Sequence, residues 1–173
     1  MGYIRRVAVF KFGKTRNIRF EAMPVSGQEE ISEYAAVTFL GDMKFKATDE
    51  RGNEIIMEAA SRAGGSGNGT APLELFLASL GGCIGVNTMV VLQEMGMRYE
   101  AFHVEVKGFR RSKIPRLFKR IDVSISIRGD LEERDVKKAL ETVIGSRCPL
   151  SVLVGSAVKL TWNYKLVPIG KTI

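Results

Sequence analysis

Between Leu75 and Leu92 the chain carries no charged residue, and about 18 uncharged residues in a row must be shielded from water on most sides by the chain itself, a second copy or lipid. Every other part of the sequence has to accommodate this stretch. The residue before a proline is pushed away from helical angles, so Ala71-Pro72 predicts a helix with Pro72 at its first position. Glu74 then falls in the first turn, where a carboxylate suits the dipole. The helix is expected to end near Gly96. A membrane span competes with a buried core helix, because the run only just reaches spanning length. Gly81, Gly82, Gly85, Asn87 and Thr88 inside it, and the amphipathic strands after it, favour the core helix.

The flanks are of globular type. A chain of 173 residues, 45% hydrophobic and 26% charged, is expected to form a single domain, 1–173, with 1–34 as an N-terminal extension or extra strands. Ile4–Phe12 and Lys14–Phe20 mix apolar and basic residues as strands do, with Met23–Gly27 as a connection. Ala35–Leu40, Met43–Thr48 and Asn53–Ala59 read as an antiparallel meander joined by Gly41-Asp42 and Asp49–Asn53 turns. Arg62–Gly69 is too rich in glycine for regular structure, and its spacing fits neither the P-loop nor the dinucleotide fingerprint, so it is expected to lead flexibly into the helix. Beyond the helix, Tyr99–Phe109 alternates, with Phe102, Val104 and Val106 opposite His103, Glu105 and Lys107. Arg120–Arg128 places Ile121, Val123, Ile125 and Ile127 on one face, completing a hairpin. Leu131–Ser146 is patterned as a surface helix and Ser156–Leu166 as a final strand. The class is α+β with mainly antiparallel sheet.

Several functions are disfavoured. The net charge of +7 owes much to Arg110, Arg111, Lys113, Arg116, Lys119 and Arg120 around Pro115. That loop has Phe118 as its one interleaved aromatic and belongs to no known nucleic-acid module, so a nucleic-acid partner is not expected. One histidine, His103, and two cysteines do not make an ordinary four-ligand zinc site, and no metal or cofactor is expected. No secretory leader is recognisable, Arg6 stands where myristoylation requires Ser or Thr, and a cytoplasmic location is the natural expectation.

The two cysteines remain. A free cysteine is most often a small core residue, yet Cys83 is surrounded by Gly81, Gly82 and Gly85, which leave room beside the thiol. Cys148 stands just past a helix end, between Arg147 and Pro149, in a position expected to be accessible. If the long helix breaks at Gly81-Gly82, Cys83 opens a second helical segment whose free N–H groups lower a thiol from its usual value of about 8.5.

Pro72-Leu-Glu-Leu-Phe-Leu-Ala-Ser-Leu-Gly-Gly-Cys83 and Cys148-Pro-Leu-Ser151 together resemble the OsmC/Ohr family of organic hydroperoxide reductases and osmotically induced proteins. The pair is far more specific than either half, and in element order the resemblance covers about Ala35 to Leu166. It implies an OsmC-like fold, in which sheet wraps a long central helix, and an intertwined homodimer with active sites at subunit interfaces. It also implies that Cys83 is the peroxidatic thiolate, attacking a hydroperoxide O–O bond to become a sulfenic acid, and that Cys148 is the resolving thiol. An external dithiol reductant restores the pair, and a nearby cation favours the thiolate. Two positions depart from the family pattern. Many members place a carboxylate directly after the helix-opening proline, where this chain has Leu73 and then Glu74. Nine positions (83 − 74) put Glu74 about half a turn out of phase with Cys83, so it either caps the helix or serves a partner's site. The family's first-sheet arginine has no match near Asp42-Met43-Lys44, and Arg51 and Arg62 are candidates by proximity in sequence. The alternative on the same fold is a non-catalytic dimeric stress or binding protein whose basic loop meets an acidic partner.

Overall fold

The computed structural model describes residues 31–173; the strands expected over 4–12 and 14–20, and the connection at 23–27, lie outside them. Strands β1 (Ala35–Gly41), β2 (Lys44–Asp49) and β3 (Glu54–Glu58) form a three-stranded sheet in that order. β2 and β3 pair antiparallel with Phe45 opposite Met57. At the first turn Asp42 and Met43 both take left-handed angles, φ 46° and 61°, the geometry that matches a two-residue turn to strand twist. At the second, the Asp49 carboxylate accepts the Arg51 and Asn53 N–H groups, each at 2.9 Å.

Helix α1 (Pro72–Glu94) begins at the proline and stops just before Gly96, whose φ is 73°. It then yields to β4 (Ala101–Arg110) and β5 (Phe118–Arg128), an antiparallel hairpin whose loop is the basic segment. β6 (Lys159–Val167) lies parallel to β5, Val123 opposite Trp162. A parallel neighbour needs a long crossover, which here is α2 (Glu133–Thr142), a π-helical turn (Val143–Arg147) and α3 (Pro149–Gly155). The single helix expected over 131–146 is thus a shorter α2 plus the π turn. Helix α3 escaped the sequence reading, because seven residues give too little periodicity.

Ala36–Ile173 make one compact unit. Its core is built by alternation on β5, where Ile121, Val123, Ile125 and Ile127 are buried, against Leu80, Ile84 and Leu92 of α1 and Val136 and Leu140 of α2. Gly81 lets α1 approach β4: a Cβ there would lie 3.0 Å from Val106 Cγ2. This offsets the cost, about 1 kcal/mol, of glycine in a helix interior. By length and composition α1 could cross a membrane, but Leu80, Ile84, Thr88, Val91 and Leu92 are buried within this domain. No side chain of β1–β3 belongs to the core cluster.

The glycine loop is tied down where flexibility was expected. Glu58, 2% exposed, accepts Ser66 N–H at 3.0 Å, Ser66 O–H at 2.9 Å and Gly69 N–H at 2.9 Å. The loop then hands on to α1 through a Met57–Thr70 bridge. Chiefly the Gly69 N–H bond, with those from Ser66, holds the Glu58 carboxyl down at about 2, against the opposing effect of burial. Because the folded value is depressed, the stabilisation is present above the unfolded value near 4.5 and disappears as pH falls through about 2. Thermal melts of Glu58→Gln will therefore lack the part of the wild-type acid destabilisation that falls in this window. Identical acid limbs in the two proteins would exclude Glu58 as its source.

Candidate active site

Cys83 stands in the middle of α1 and Cys148 at the junction of the π turn and α3. Their sulfurs lie 2.9 Å apart, close to the length of about 2.05 Å that a disulfide requires. The wide turn delivers Cys148: its own N–H donates to Val143 O at 2.9 Å, a five-residue step that closes the π turn. Pro149 then starts α3 at a position that needs no N–H donor. Ser151 N–H donates to Cys148 Sγ at 3.4 Å, and Ser151 Oγ lies 2.9 Å from the carbonyl oxygens of Ile144 and Cys148. On α1, one turn beyond Cys83, the Asn87 amide donates to Cys83 O at 2.8 Å and approaches Sγ at 3.7 Å.

The two thiols differ in access. Cys83 is half-buried, whereas Cys148 is fully buried, contrary to the expectation that it would be accessible. Its burial follows from the α3 turn folding over it, a turn the sequence reading lacked. The expected helix break is also absent, since α1 is continuous through Gly81-Gly82. Cys83 therefore has no free helix N-terminus of its own. Burial pushes its thiol up, contact with Cys148 adds to this, and Leu150 N–H and the Asn87 amide pull the other way. Removing the neighbour in Cys148→Ala should move the alkylation midpoint of Cys83 to lower pH, as read by iodoacetamide labelling. A midpoint that stays or rises would contradict the stated cause.

The other expected site residues are not brought to the sulfurs. Glu74 is exposed and accepts the Ala71 N–H at 3.3 Å, so it caps α1. Arg51 and Arg62 are exposed, and neither bonds to a cysteine among the described residues. Arg147, though adjacent to Cys148, is engaged by Glu94 through two contacts of 2.6 Å. His103 is exposed on β4, and the described residues hold no group of three or more His, Cys, Asp or Glu placed to bind a metal. Asn87 and Glu94 have no assigned place at the site in the sequence reading, and Ser151 enters it only as the last residue of the second motif. Asn87 could have been found by its spacing, four residues after Cys83 in the uncharged stretch of the helix.

A family model described as OsmC-like protein matches residues 65–163. Protein YhfA of Escherichia coli K12 is 27% identical over 142 residues, covering 81% of this chain and 98% of that protein. Among solved structures, an OsmC-like protein from Mycoplasma pneumoniae superposes with a TM-score of 0.72 at 17% identity, over 80% of this chain and 99% of that one. The organic hydroperoxide resistance protein OhrB of Bacillus subtilis superposes with a TM-score of 0.55 at 23% identity, over 76% and 98% of the respective chains. These structural likenesses concern the fold.

Proposed function

The chain belongs to the OsmC/Ohr family, and on that premise we propose that it is a cytoplasmic thiol-dependent peroxidase that reduces hydroperoxides through Cys83 and Cys148. The observation that carries this reading is the 2.9 Å approach of a half-exposed thiol to a fully buried one. A peroxide can reach Cys83 first, while Cys148 is already in place to intercept the product.

The chemistry follows from that order. The Cys83 thiolate attacks one oxygen of the O–O bond, the other leaves as alkoxide and takes up a proton to become an alcohol, and Cys83 becomes a sulfenic acid. Cys148 then attacks the Cys83 sulfur, the sulfenic oxygen leaves as water, and a disulfide forms. An external dithiol restores both thiols by two exchanges. Asn87 and Leu150 N–H stabilise the thiolate.

A homodimer completes the site in this reading. Phe39, Leu40 and Phe45 of the first sheet and Phe76, Val86 and Val90 of α1 are exposed. A groove of about 590 Å³ runs along α1, floored by Gly81, Gly82 and Gly85 with Glu74 at one end. A second copy covers these apolar faces and supplies a cation to Cys83, which has none bonded to it among the described residues of one subunit, with Arg51 and Arg62 as candidates. Steady-state assays with an organic hydroperoxide, hydrogen peroxide and a dithiol test the proposal, and a wild type inert toward both peroxides would overturn it. The raised Cys83 thiol favours the competing reading, a dimeric stress or binding protein with vestigial cysteines, and the inert outcome would select it.

A further inference from the structure

Glu94 is placed against the electrostatics of its own helix. It is the last residue of α1, whose final turn has no basic residue, and a carboxylate at a helix C-terminus faces the negative end of the dipole. Helix stability therefore does not account for it. Its phase on the helix does. Eleven residues (94 − 83) amount to about three turns, so Glu94 lies within about 20° of the face that carries Cys83 and about 16 Å further along. The same face that presents one thiol thus presents a carboxylate, and the segment crossing it carries Arg147 and Cys148 side by side. Arg147 Nη1 and Nη2 each lie 2.6 Å from a Glu94 oxygen, a fork-to-fork pair that fixes orientation as well as distance. Cys148 follows with no intervening residue, and its N–H is already used by the π turn. With its peptide held at both ends, the Cys148 side chain has little freedom to leave Cys83.

We infer that Glu94 and Arg147 form a positioning clamp that holds Cys148 against Cys83 and raises the effective concentration of one thiol at the other. The inference rests on the proposed pairing of the two cysteines, and neither clamp residue touches the reacting sulfurs. The pair is partly exposed, 39% for Arg147 and 52% for Glu94, so the effect is moderate and salt-sensitive.

Equilibration with mixtures of reduced and oxidised dithiothreitol measures it. Two protein thiols pass two electrons and two protons to the oxidised reagent, and the disulfide fraction is read by alkylation and mass spectrometry. Arg147→Gln and Glu94→Gln should each lower the disulfide equilibrium constant about fivefold. The exchanged pair Glu94→Lys with Arg147→Glu should recover it to within about twofold. Melting midpoints of the reduced proteins, measured in parallel, identify a variant that has simply lost its fold. A purely structural role would move the midpoints and leave the constant alone, which overturns the clamp. Failure of the folded exchanged pair to recover overturns it as well. A wild type that forms no Cys83–Cys148 disulfide overturns the clamp and the peroxidase reading together, whereas a normal disulfide in wild type and single variants alike removes only the clamp.

Discussion

Cys83→Ser should lower peroxide consumption by about a thousandfold or more, because a covalent mechanism loses its nucleophile and the remaining groups cannot substitute for it. Cys148→Ser should behave differently. It completes the first attack and then stops or overoxidises, since the sulfenic acid has no thiol to condense with. A cyclic diketone that traps sulfenic acids should accordingly label Cys83 in Cys148→Ser after one equivalent of peroxide, and label nothing in Cys83→Ser. The burial of Cys148 is what makes the asymmetry sharp. If Cys148 were labelled in Cys83→Ser, the roles would be reversed, and if Cys83→Ser kept its activity the mechanism would fall.

The second large effect is on stability and comes from the loop before α1. A Cβ built on Gly65 would lie 1.6 Å from Ala59 O and 2.7 Å from Ala59 C. Both are backbone atoms, so no side chain can swing aside. Gly65→Ala should cost about 3 kcal/mol and lower the melting midpoint by about 6–12 °C for a chain of this size. Gly155→Ala is the matched control, because it is helical and nothing lies within 4 Å of its Cβ position. It should be neutral or gain up to about 1 kcal/mol from helix propensity. Equal midpoints for the two variants would show that the loop readily adopts another path.

What could be read from the sequence divides along physical lines. α1 and the β4–β5 hairpin were legible because their signals are long: an uncharged run opened by Ala71-Pro72, and alternation sustained from Phe102 to Val106 and from Ile121 to Ile127. The two cysteines that the structure brings together stood out in the sequence as a pair of motifs around Cys83 and Cys148. Their geometry did not. The π turn has a periodicity no short window separates from an ordinary helix, and it is this turn that brings Cys148 to Cys83. Glu58 lies in a strand and its partners Ser66 and Gly69 in a loop, so each looked unremarkable alone. The sequence allows Glu74 to be either a cap or a partner-site residue. Within one subunit it caps, consistent with the half-turn phase difference that turns it away from Cys83.

The placement of β1–β3 outside the core cluster has a consequence for dilute solutions. Residues from Leu77 onward have a packed interior of their own, whereas three strands with Phe39 62% exposed have none among the described residues. If a second copy provides that cover, the first sheet is stabilised by mass action and its strength depends on how much protein is present. Two transitions should then separate on dilution, an early one in the meander whose midpoint tracks concentration and a later one in the β4–β6 layer that does not. Newly made chains at low abundance would carry a formed Cys83–Cys148 pair beside a loose sheet, becoming fully ordered only as their numbers rise.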